Sequence, residues 1–200
     1  MAKKTSKTLK TAGLNTTHKI LIGVGAVFLL LVLWTVSAYN GLISLQATTD
    51  EQWANVETQY QRRVDLVPNL VSTVRGYAAH ESQLFTQIAQ LRSQWQTAGT
   101  VGAKMQAAQA IDSALGRLIA VAENYPQLKA NENFLSLQDE LAGTENRISV
   151  SRTRYNEAVK NYNTATRKVP TNVIAGLFGF AQKQSFEAQA GAQKAPEVKF

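Results

Sequence analysis

The stretch YQRRVDLVPNLVSTVRGYAAHE, residues 60–81, decides the fold. Its apolar residues fall at helical spacing, yet Pro68 stands in its middle, just after the dense polar cluster Arg62, Arg63 and Asp65. Proline cannot donate a backbone N–H and clashes with the preceding turn. It also pushes the residue before it, here Val67, out of helical geometry, and it suits the first turn of a new helix. Either the chain kinks at Pro68 or it turns back there. A continuous helix over 40–96 would be about 85 Å long, whereas the helix read over 103–124 is about 33 Å and could not cover it. Four helices of about 33 to 54 Å fit together better. The expectation is a tight corner at residues 65–67 joining two antiparallel helices, with a kinked helix as the alternative.

The segments around this stretch are helical and separated by few breaks: TAGTVG (97–102), YPQLKAN (125–131) and KVPTN (168–172). The clearest helix covers 131–166. Phe134, Leu141, Ile148, Tyr155 and Tyr162 recur every seven residues, with Leu137 and Val159 at the complementary heptad positions. That pattern is the seam of a helix packed at a shallow angle on its neighbours. Asn131 is placed to cap its start, with Glu132 in the favourable first turn. Residues 68–96 carry a second seam, with Leu70, Tyr77, Leu84 and Leu91 at one position and Val74, Ile88 and Trp95 at the other. Glu81 falls on that seam. Leu42, Leu45, Val56 and Tyr60, with Trp53 beside them, mark a helix over 40–64; Met105, Ala108, Ile111, Leu115, Leu118 and Ala122 mark one over 103–124. No stretch alternates convincingly with period two, so no sheet is expected.

Residues 20–39, ILIGVGAVFLLLVLWTVSAY, carry no charge and would span roughly 30 Å, the thickness of a bilayer core. Trp34 and Tyr39 lie toward the far end, where amphipathic rings favour the interface. The chain carries 21 Lys and Arg against 14 Asp and Glu. Lys3, Lys4, Lys7, Lys10 and Lys19 precede residue 20 with no acid among them, so the basicity is mostly an N-terminal tail and not a nucleic-acid groove. The positive-inside rule keeps that tail in the cytoplasm and puts the remainder outside. The rival reading is a cleaved signal peptide ending at Val36-Ser37-Ala38, but the apolar run exceeds the usual signal core of about 7 to 15 residues. With no cysteine and only His18 and His80, neither a disulfide nor a zinc or iron centre is expected. Phosphate loops, nucleophile elbows and dinucleotide fingerprints are absent from the sequence, and no cofactor is expected.

YNGLISL (39–45), RRVDLVPNLVSTVRGYAAHE (62–81), the block from YPQLKAN (125) to KNYN (163) and VPTNVIAGLFGF (169–180) resemble the LemA family. The resemblance covers nearly everything from residue 39 onward. It implies a single-pass membrane protein with a helical bundle and a poorly defined envelope role. Through a relative implicated in bacterial magnetosome membrane formation, it also implies membrane organisation. It supplies no catalytic residues.

Arg62, Arg63 and Asp65 read either as helix-ending residues at the corner, the arginines on one dipole and Asp65 capping the next helix, or as a recognition corner at the distal tip. Glu81 on a seam needs a partner, for which Arg147 and Arg152 are candidates; the sharper alternative is a carboxylate acting as acid or base. Glu145, Asn146, Arg152, Tyr155, Asn156 and Asn161 cannot all face solvent, because Tyr155 lies on the seam. They read as a satisfied polar layer or as a lateral interface. The apolar tail over 172–186, with Phe178, Phe180 and Phe186, is too short to span a bilayer and lies in the interface or closes the bundle.

The expected protein is all-α: an N-terminal transmembrane helix followed by an antiparallel four-helix up-and-down bundle of long helices with coiled-coil-like seams. Its parts are a basic cytoplasmic tail (1–19), a transmembrane signal anchor (20–39), the bundle (40–168), an apolar membrane-proximal or bundle-capping segment (169–186) and a flexible tail (187–200). It is expected in the cytoplasmic membrane, as a homo-oligomer with envelope protein partners and without nucleic acid. Binding and assembly are its expected work, with an envelope enzyme using Glu81 as the alternative.

Overall fold

The computed structural model describes residues 16–186. The basic run before residue 16 and the polar tail after residue 186 lie outside the described residues. The order is α1 (Thr16–Arg75), α2 (Ser82–Thr97), α3 (Val101–Ala122), a short α4 (Pro126–Lys129), α5 (Glu132–Arg167) and α6 (Thr171–Phe178), with no strand among the described residues. Side-chain pairs fix the directions. Tyr77 meets Asn131, Arg62 meets Glu140 and Trp53 meets Tyr155, so α1 and α5 are antiparallel. Arg75 covers Phe85 while Tyr60 packs on Trp95, so α2 returns along α1. Lys104 pairs with Glu57 and Asp112 with Arg63, so α3 runs with α1. This is the antiparallel up-and-down bundle, and α1 continues from it into the apolar segment.

The corner expected at residues 65–67 does not exist: α1 passes through Pro68 without ending. Helices of unequal length pack together here, so no short helix has to cover the whole of α1. In fact α5, with 36 residues, pairs with α1, while the hairpin of α2 and α3 leans only on its distal part. The proline is exposed, and the buried stripe Tyr60, Val64, Val67, Leu70 and Val74 runs past it unbroken. Burial of that stripe offsets the lost helical hydrogen bond, whose cost is about 3 kcal/mol. The chain reverses instead at 76–81, where the Tyr77 and Ala78 N–H groups both return to the Val74 carbonyl and Ala78 plugs the turn, fully buried. The seam read across 68–96 is therefore split between two helices, and Tyr77 is exposed.

The bundle has two cores. The main one joins Val56, Tyr60, Trp95, Ile111, Leu118, Ile148 and Tyr155 across α1, α2, α3 and α5. The small one, near the end of the apolar segment, joins Leu42 to Ile174 and Ala175 of α6. The α5 seam is placed as its heptads require, with Phe134, Leu141, Ile148, Tyr155 and Tyr162 buried. Asn131 caps α5 by accepting from the Phe134 N–H at 3.1 Å, and its amide also donates to the Tyr77 hydroxyl at 3.1 Å. Asn131→Ala is expected to cost about 1 kcal/mol. A thermal melt should read this as a fall of roughly 2–4 °C.

Candidate functional site

Midway along the distal bundle, four charged side chains from three helices meet. Arg63 of α1, only 4 % exposed, donates to Asp112 of α3, to Glu145 of α5 and, at 3.3 Å, to the Thr144 hydroxyl. Asp112 also accepts from Arg152 at 2.7 Å and from the Tyr60 hydroxyl at 2.9 Å. The Arg152 guanidinium stacks over the rings of Tyr60 and Phe186, at 5.2 and 5.0 Å from their centroids. Burial pushes the Asp112 carboxyl up to about 6, and Arg63 offsets only part of that by charge and hydrogen bonding. The layer ties α1, α3 and α5 together at one level of the bundle through Arg63, Asp112, Glu145 and Arg152. A cleft of about 310 Å³ with Leu115, Ile119 and Leu141 in its walls opens beside it.

Sequence reasoning placed Arg63 and Arg152 apart, one at a corner and one as a partner for Glu81. The structure pairs them through Asp112, a residue the sequence reading passed over. The signal was there: Asp112 is the lone acid of α3 and adjoins Ile111 on its apolar face. Glu81 is not on a seam. It precedes α2 in the turn, makes no side-chain cap bond and joins no ion pair among the described residues; Arg147 is exposed. Arg62 and Asp65 do not end a helix: Arg62 makes an exposed pair with Glu140 at 3.1 Å, and Asp65 accepts from Gln61 at 2.8 Å. Of the Asn- and Arg-rich block, Arg152, Tyr155 and Asn156 turn inward, Glu145 reaches Arg63 from an exposed position, and Asn146 and Asn161 face solvent.

The residues after α6 fold back along the bundle as a strap. Gly179, at φ 74°, ends α6 in the left-handed conformation that glycine tolerates, and the Phe180 N–H returns to the Ala175 carbonyl at 2.9 Å. Lys183 then exchanges two backbone hydrogen bonds with the Asn163 side chain, at 2.9 and 2.8 Å. Phe186 does the same with Asn156, at 2.8 and 3.0 Å, and the Gln184 carbonyl accepts from the Tyr155 hydroxyl at 2.9 Å. The Phe186 ring is buried against Trp53 and Tyr155, and Lys183 pairs with Asp50. Burial and the charge of Asp50 push the Tyr155 hydroxyl up to about 12, so it remains a donor at every physiological pH.

At the end of the apolar segment, Tyr39 is gripped edge-on by Phe178 and Phe180, with centroids 4.9 and 5.7 Å away. Ile174 and Ala175 turn α6 onto Leu42, which leaves Val173, Leu177 and Phe178 more than half exposed. The whole run from Ile20 to Leu33 is likewise uncovered by protein, and α1 has one stretch long and apolar enough to cross a membrane.

Two magnetosome proteins of Paramagnetospirillum magneticum, MamQ 1 and MamQ 2, are each 28% identical to the chain over 175 residues, 74% of the chain and 64% of their own length. Magnetosome protein MamQ of Magnetospirillum gryphiswaldense is 27% identical over 180 residues, 76% of the chain and 66% of its own length. The chain thus covers slightly less than two thirds of these relatives. The LemA family profile matches residues 52–200, which include the ionic layer, the strap and α6. With that match over most of its length and a membrane-associated helical architecture around it, the chain belongs to the LemA family.

Proposed function

We propose that this protein is a single-pass scaffold of the bacterial cell envelope, standing on the outer face of the cytoplasmic membrane and acting by binding and assembly. The observation that carries this reading is the continuity of α1. One helix of 60 residues contains both the exposed apolar segment and the first helix of the bundle, so the bundle is held rigidly upright at the membrane. The exposed ridge of Val173, Leu177 and Phe178, beside Tyr39, supports a second contact. There α6 lies in the bilayer interface, where even a small apolar area suffices because α1 already anchors the chain. Confinement to one bilayer raises the effective concentration of copies for one another, which favours a homo-oligomer. The lysines before residue 20 support a cytoplasmic N-terminus. The likeness to magnetosome proteins accords with membrane organisation.

Two assays test the proposal. A reporter active only outside the cytoplasm, fused after Phe200, is expected to be active; a well-expressed but inactive fusion contradicts the orientation. Chains carrying two different tags are expected to co-purify from solubilised membranes; recovery of each tag alone contradicts assembly of like copies.

A further inference from the structure

We propose that the groove between α1, α3 and α5 is a binding site for an extended peptide, and that residues 183–186 of a second copy can occupy it in place of the chain's own. This rests on the assembly reading above and gives it a contact. Asn156 and Asn163 lie seven residues apart on α5, about 10.5 Å along a helix. Lys183 and Phe186 lie three residues apart, about 10 Å along an extended chain. The two repeats match, so each asparagine amide takes both the N–H and the C=O of one strap residue. Such a ladder reads backbone and satisfies it as a neighbouring strand would. Selectivity comes from the ends. An aromatic pocket of Trp53 and Tyr155, roofed by Arg152, takes Phe186; Asp50 and the Tyr162 ring take Lys183. Gly102 at the start of α3 faces the Gln184 side chain, whose amide oxygen would stand 2.8 Å from a Cβ there and is free to turn aside. The ligand class is thus an extended Lys-x-x-Phe segment.

A second copy carries the identical segment. Exchanging it replaces each contact by the same contact, which makes swapping a low-cost route to association. Gly179 sets where the chain leaves α6, and Ala181 and Gln182 connect the held Phe180 to the strap. Anchoring of both copies in one bilayer supplies the concentration.

The chain has no cysteine, so single cysteines report cleanly. Two differently tagged full-length chains are co-expressed, one with Ser185→Cys and the other with Gln106→Cys, positions that line the same opening. Membranes are treated with a short thiol–thiol cross-linker, and the tags are also tested for co-purification without it. The expected result is a heterodimer joining the two tags. Its yield should fall about tenfold when Asn156→Leu and Asn163→Leu are placed on the Gln106→Cys chain, whose groove receives the strap, and not when they are placed on the donor. Circular-dichroism melts of each purified variant establish that it folds, a readout independent of the strap, whose own docking uses the same asparagines. Co-purification without the heterodimer overturns exchange and leaves assembly standing. Loss of both overturns the two together. A heterodimer indifferent to the receiving asparagines overturns the ladder as the binding element.

Discussion

Arg63→Met is expected to lower the stability of the bundle by about 3 kcal/mol at neutral pH, and to lose much of that effect in mild acid. The substitution keeps the length of the stem but removes the guanidinium that holds Asp112, Glu145 and Thr144. Taking one partner from a buried pair leaves the other charge uncompensated, at a cost of about 3–5 kcal/mol. The pH dependence follows from Asp112. Its folded value, about 6, lies above the ordinary carboxylate value of about 3.9. Its contribution to stability is therefore full below about pH 4 and is lost as pH rises through about 6. Without Arg63 the folded value rises further, so parent and variant diverge as pH increases and converge where both hold Asp112 protonated. Denaturant melts of the reconstituted protein across this range read the difference directly. Arg63→Met combined with Asp112→Leu should recover only part of the loss at neutral pH, because the orphaned carboxylate is gone but Arg152 and the Tyr60 hydroxyl lose their acceptor. A single variant that melts like the parent at pH 7 would remove the ionic layer from the account.

Pro68→Ala should move stability the other way, raising it by about 1–3 kcal/mol. Inside a helix, proline forfeits a backbone hydrogen bond and crowds the preceding turn, for about 3 kcal/mol. Alanine recovers much of this, less the 0.4–1 kcal/mol or so by which proline stiffens the unfolded chain. Pro68 is exposed, so no packing is lost. At the first turn of a new helix the same change would be neutral or harmful, since proline is preorganised there. A thermal melt of Pro68→Ala thus distinguishes the continuous α1 from a corner by sign alone.

The proline also marks where reading the sequence went astray. Local chemistry at residues 65–68 argues for a break, and the apolar stripe from Tyr60 to Val74 argues against one. Tertiary burial of the stripe outweighs the local cost, and a length argument that ignored unequal helices reached the opposite answer. By contrast, α5 was legible end to end, because its heptads, its Asn131 cap and Glu132 in its first turn agree with one another. The core face of α3 was equally clear. Asp112 escaped notice because an acid beside an apolar face reads as solvated until its partners, 49 and 40 residues away, are known. The strap had no periodicity to betray it: it is held by backbone hydrogen bonds to Asn156 and Asn163, which side-chain patterning does not encode. Asn156 was read within a block that forms either a buried polar layer or a lateral interface, and its partner on the strap was not read.

The central claim is that the bundle stands on the bilayer with α6 lying in the membrane surface beside the end of the spanning segment. The most direct measurement places single nitroxide labels at Leu177→Cys, Val36→Cys and Arg62→Cys of the full chain in lipid vesicles. Relaxation by oxygen, which concentrates in lipid, is then compared with relaxation by a water-soluble paramagnetic chelate. The account predicts that Leu177 resembles Val36, exposed to oxygen and shielded from the chelate, while Arg62 behaves oppositely. A Leu177 label as open to the chelate as the one at Arg62 would contradict it.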